Sequence, residues 1–152
     1  MMWQANRRAL MSYAGDVSCL ECWDALRSAS DSQLVDVRTF PEWNFVGLPD
    51  LREAGKDLVT VEWQQFPSMQ VNADFVKAVN AAMDTVGAGK SSAIYCLCRS
   101  GVRSMAAASA LTDAGYTNVF NVLGGFEGDR DERGRRATIS GWKFDQLPWV
   151  QG

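Results

Sequence analysis

There is no histidine among the 152 residues of this chain. That absence removes histidine-based general acid–base catalysis, Ser–His and Cys–His dyads, and most catalytic zinc sites. Any nucleophile here must be activated without an imidazole. A long apolar run is also missing. None approaches the roughly 18 residues of a spanning helix, so no membrane is expected. The opening MMWQANRRAL has arginines but no apolar core and cleavage site behind them, and no signal peptide is expected. Excess charge of one sign is absent too. Fifteen basic against eighteen acidic residues leave a net charge of −3, which argues against nucleic acid as a partner.

What is present fits one globular domain spanning 1–152. Within it, 1–12 reads as an N-terminal extension and 127–152 as a charged loop with a C-terminal segment. Apolar residues make up 47% and charged residues 22%, enough to build a core under a polar surface. The expected setting is a reducing cytoplasm, where four cysteines are free or catalytic thiols rather than a disulfide framework.

Along the chain, Ser18 and Glu21 form a capping box at a helix entry, with Cys19 and Cys22 on its first turn. QLVDVR (33–38) predicts a strand followed by a polar turn with Pro41, and KDLVTVEW (56–63) a second strand broken by QQFPS. Asn72 is the expected cap of a helix whose apolar residues run Phe75, Val76, Val79, Ala82, Met83, Val86. SSAIYC (91–96) and NVFNVLGG (118–125) are further strands around a small-residue helix over 104–115. Alternating strands and helices predict an α/β layer with a mainly parallel sheet, and such sheets place their site beyond the carboxyl ends of the strands. Cys98, Asp36–Arg38, Trp63 and Gly124–Gly125 converge there.

The loop CRSGVRS (98–104) carries the chemistry. Gly101 permits a tight turn, and the helix that begins near Arg103 aims its positive end at the loop. Arg99, Arg103 and the loop amides together favour thiolate over thiol, so Cys98 is the expected nucleophile. The same cradle suits an anion.

This loop resembles the active-site loop of rhodanese-like sulfurtransferases, with Cys98 at the persulfide-forming position. LVDVRTFPEW resembles the family's strand-and-turn signature and NVLGGFEG its closing strand with a glycine pair. The resemblance implies a three-layer fold, its parallel sheet flanked by helices. It also implies attack of the Cys98 thiolate on a small anionic sulfur donor, such as thiosulfate or a persulfide. The outer sulfur then passes to a thiol or cyanide, or to an acceptor protein. No cofactor or metal is called for. Arg99, Ser100, Gly101, Val102, Arg103 and Ser104 would bind donor, with Ser104 hydrogen-bonding inside the loop. Asp36, Arg38 and Glu42 would support the neighbouring turn. The loop matches the C-x-x-G-x-R-S form of single-domain members. It differs from the CRKGVT form of thiosulfate-specific members at Ser100 and Arg103, and from the CGSGVT-like form of mercaptopyruvate-type members at Arg99. The donor stays open.

Two other classes compete. Phosphatases and arsenate reductases of this fold place five residues between cysteine and arginine, whereas Arg103 follows Cys98 after four. A silent binding module is the third class. Cys96 reads as packing, Trp63 and Phe66 as packing or pocket mouth, and the segment 127–136 as a solvated face. DRDERG (129–134) lacks the closing glutamate of a calcium loop.

Overall fold

The computed structural model describes residues 12–152, so residues 1–11 of the expected N-terminal extension lie outside the described residues. In chain order the elements are β1 (Gly15–Val17), α1 (Cys19–Ser28), β2 (Gln33–Asp36), α2 (Phe40–Phe45), β3 (Leu48–Pro49), a 3₁₀ turn (Arg52–Ala54), β4 (Val59–Thr60), β5 (Gln64–Gln65), β6 (Gln70–Val71), α3 (Phe75–Thr85), β7 (Ile94–Leu97), α4 (Val102–Asp113), β8 (Val119–Val122) and β9 (Trp149–Val150). Five of these strands pair in parallel in the order β1-β8-β7-β2-β4.

Side chains alternate across this sheet, so each strand feeds two cores. Val35, Ile94, Cys96 and Val119 meet Phe75, Val79 and Met83 of α3 and Ala107, Ala108 and Leu111 of α4. Leu34, Tyr95, Leu97 and Val122 meet Cys19, Cys22, Trp23 and Leu26 of α1, together with Phe126 and Trp142. The result is the three-layer α/β arrangement. The small residues of α4 let that helix lie close on the strands. Registers β1–β8, β7–β8 and β2–β7 set Asp16, Asn121, Cys96 and Val35 in one transverse row.

Ser18 caps α1 with the expected box: its hydroxyl accepts from Glu21 N–H, and Glu21 accepts from Ser18 N–H. Three local expectations are corrected. The turn at Pro41 is the short helix α2, whose N-cap Thr39 donates to Glu42 from both N–H and hydroxyl. The cap of α3 is Asp74, because Asn72 spends its side-chain oxygen on the Asp74 N–H in a turn before the helix. The 56–63 strand shrinks to Val59–Thr60, and the QQFPS break is half of a hairpin in which Gln64 pairs with Val71. β1 was not expected; it forms because Gly15–Val17 finds β8 across the sheet.

Candidate active site

β7 delivers the chain to the carboxyl edge of the sheet at Leu97, and α4 starts at Val102. Between them Cys98 is buried, 1% exposed, yet its side lines a cavity of about 440 Å³. Gly101 is the N-cap of α4 with φ 116°, a left-handed conformation that glycine adopts without Cβ strain. That turn aims the Gly101 N–H at Cys98 Sγ, 3.1 Å away. Ser104, one turn into α4, stands with Oγ 3.2 Å from the same sulfur.

The loop is held from behind by its backbone carbonyls. Phe126 N–H donates to Cys98 O at 2.8 Å, while Glu127 and Gly128 N–H donate to Arg99 O at 3.0 and 3.1 Å. With these carbonyls committed outward, the Gly101 N–H is the loop donor that reaches the sulfur. The contact is close because Gly125 has no Cβ: one built there would lie 2.5 Å from Cys98 O.

Arg103 does not point unaccompanied at the thiol. Its two terminal nitrogens donate to the two Glu42 oxygens at 2.7 and 2.9 Å, a bidentate pair that ties α2 to α4. Burial alone would raise the Glu42 carboxyl. The Arg103 hydrogen bonds and charge, with the two Thr39 donors, instead bring it down to about 2. Arg99 is exposed on the cavity wall beside Ser100 and Val102. Asp36 and Arg38 do not line the cavity. They form a fully buried pair, with Arg38 Nη2 2.6 Å from Asp36 Oδ2 and 2.8 Å from Gly47 O. The Arg38 guanidinium also lies over the Phe126 ring at 4.3 Å.

Gln64 and Met69 complete the lining. Sequence reasoning missed both, because a hairpin made by long-range placement brings them in. The turn-forming Pro67 and Ser68 between two polar runs were the available signal. Trp63 packs edge-on against Phe75 at 5.1 Å, and neither it nor Phe66 is among the lining residues.

The other cysteines sit in different surroundings. Burial, with the neighbouring Cys98, pushes Cys96 up, and burial with Cys19 and Cys96 does the same to Cys22. Cys19 is raised to about 12 by burial and the Asp145 charge, against an opposing backbone hydrogen bond. Among the described residues no three histidine, cysteine or carboxylate groups gather in a metal-binding cluster. In the charged segment, Asp131 accepts from Arg133 and Arg135 N–H and from the Thr138 hydroxyl, which folds the loop locally.

Comparison with known proteins agrees with this architecture. The Rhodanese-like domain family matches residues 20–132. The uncharacterized protein RC0915 of Rickettsia conorii is 35% identical over 134 residues, covering 88% of this chain and 95% of the relative. The crystal structure of Rv0390 from M. tuberculosis superposes with a TM-score of 0.82 at 40% identity, over 93% of this chain and 100% of the other. The homodimeric polysulfide-sulfur transferase of Wolinella succinogenes shares the fold at TM-score 0.58 and 16% identity, over 99% of this chain and 88% of that one. The chain belongs to the rhodanese-like domain family.

Proposed function

We propose that this protein is a sulfurtransferase whose sulfur carrier is Cys98. The supporting observation is a sulfur at a cavity wall that accepts an N–H from its own loop, with an exposed cation, Arg99, on the same wall. With thiosulfate as donor, the Cys98 thiolate attacks the outer sulfur, the S–S bond breaks with its electron pair, and sulfite leaves. A cysteine persulfide remains. Cyanide or a thiolate then takes the outer sulfur, and the Cys98 thiolate returns. Neither step needs a protein base, which suits a chain without histidine.

The donor is a small anion and the acceptor cyanide, a thiol or a thiol-bearing protein. The Wolinella neighbour is a polysulfide-sulfur transferase, and a short sulfur chain is one donor that a cavity of about 440 Å³ has room for. Free thiols suit a reducing cytoplasm. No helix among the described residues is long and apolar enough to cross a membrane.

The phosphatase reading needs a general acid at the cavity. Among the described residues the one carboxylate lining it is Glu42, which the bidentate Arg103 pair keeps ionised down to about pH 2. That argues for sulfur chemistry.

Intact mass spectrometry after exposure to thiosulfate or a persulfide tests the proposal. The expected result is one added sulfur, mapped to Cys98 and lost on reduction, with thiocyanate formed from thiosulfate and cyanide. Aryl phosphate hydrolysis without sulfur loading would favour a phosphatase. Neither activity across a range of donors would favour a binding module.

A further inference from the structure

Ser104 Oγ lies 3.2 Å from Cys98 Sγ and 2.6 Å from Asn121 Oδ1. A hydroxyl has one proton and cannot donate to both. Asn121 decides between them by its own orientation. Its Nδ2 lies 3.2 Å from Asp16 Oδ1, which also accepts from the Tyr13 hydroxyl at 2.8 Å. Turning the amide round would set two acceptor oxygens face to face. The amide oxygen therefore faces Ser104 and draws the hydroxyl proton away from the sulfur. Ser104 then offers Cys98 a lone pair, which suits a thiol S–H and not an anionic sulfur.

The placement follows from sheet register. Asp16, Asn121 and Cys96 are partners across β1, β8 and β7, and Ser104 covers that row from α4. Asn121 and Ser104 are fully buried. A polar pair in an apolar layer is costly unless bonded, and this one is bonded throughout.

We propose that Asn121, oriented by Asp16, is a positioning residue that restrains the Cys98 thiol in the resting protein by directing the Ser104 hydroxyl away from its sulfur. The other charged or titratable groups near this sulfur are Arg99 from the loop, Arg103 from α4, and Cys96 from β7. Glu42 and Asp36 act on it through Arg103. Freeing the hydroxyl gives the anion a second donor besides the Gly101 N–H. Its consequence for turnover rests on the sulfur-transfer reading; the hydrogen-bond arrangement does not.

The test measures iodoacetamide alkylation of Cys98 at pH 7 by mass spectrometry, which requires no sulfur transfer. Asn121→Leu removes the competing acceptor at similar volume. Asp16→Ala frees the amide to turn, from a half-buried edge strand that carries less packing. Each should speed alkylation about twofold to tenfold, the worth of one net hydrogen bond. Ser104→Ala should abolish that gain when combined with either. A packing defect alone would not depend on Ser104 in this way. If Asn121→Leu fails to fold, Asp16→Ala decides by itself. Alkylation unchanged or slower in the folded variants, or a gain that persists without Ser104, overturns the proposal. The expected pattern together with no sulfur loading of the wild-type protein would leave this proposal standing and remove the sulfurtransferase.

Discussion

Cys98 differs from Cys96 in what its sulfur faces rather than in how deeply it lies. Both are almost wholly buried, but Cys98 borders the cavity and accepts the Gly101 N–H, whereas burial pushes Cys96 up. Iodoacetamide at neutral pH is therefore expected to label Cys98 alone in the folded protein, as peptide mapping would read. Cys98→Ser should abolish sulfur transfer and Cys96→Ala keep most of it. An equally deep loss in folded Cys96→Ala would give that thiol a chemical role. The two arginines should also separate. Arg103→Gln strips Glu42 of its bidentate partner and leaves a carboxylate on the cavity wall, so kcat/KM for thiosulfate should fall about tenfold to hundredfold, the scale of a charged hydrogen bond. Arg99→Gln removes an exposed cation and should raise KM about twofold to fivefold with kcat little changed. Equal effects in steady-state kinetics would contradict this division.

Besides the Ser104–Asn121 contact, two cross-links between elements hold the site among the described residues. The first is the turn after β8, where Gly125 lets residues 126–128 bond the Cys98 and Arg99 carbonyls. Gly125→Ala places a carbon where the Cys98 carbonyl stands, at a residue with φ 62°. The loop must shift, and turnover should drop more than about tenfold, as misplacement of a reacting group commonly costs. Circular dichroism should stay close to wild type. Unchanged turnover would mean that the clamp does not position the thiol. The second cross-link is Glu42–Arg103 between α2 and α4. The Glu42 carboxyl titrates from its ordinary 4.5 when unfolded to about 2 when folded. A lowered folded value stabilises fully above 4.5, and that stabilisation is lost as the pH falls through 2. The urea-midpoint difference between wild type and Glu42→Gln should therefore shrink as pH falls from 5 to 2. A constant difference would remove the linkage.

At the scale of the whole molecule, a buried ion pair ties three segments together. Asp36 and Arg38 have no exposed side-chain surface, and Arg38 also ties Gly47 and lies over Phe126. The pair thus joins β2, the turn after α2 and the turn after β8. Arg38→Met leaves Asp36 buried without its cation, and breaking a buried pair in this way costs about 3–5 kcal/mol. Chemical denaturation should show that loss. A change below about 1 kcal/mol would mean that Asp36 is not left as an uncompensated buried charge, and would overturn this account of the pair. The antiparallel β3–β9 pair then closes the C-terminal segment onto the same side, with Trp142 buried edge-on to Trp23 at 5.9 Å.

The alternating strand and helix pattern, the Ser18–Glu21 cap and the strand-to-helix position of Cys98 were legible in the sequence because each depends on residues close in the chain. The same holds for the turn at Gly101, where a left-handed residue must sit between β7 and α4. Tertiary structure decided what the charges do. Arg103 and Glu42 are 61 positions apart and Ser104 and Asn121 are 17 apart, so no local pattern announces either pair. It also decided the cavity wall, since Gln64 and Met69 arrive on a hairpin whose strands are two residues long. Sequence thus determined which sulfur is presented at the sheet edge. Sheet register and helix packing determined which donors, acceptors and charges surround it, because those contacts exist only once distant strands have paired.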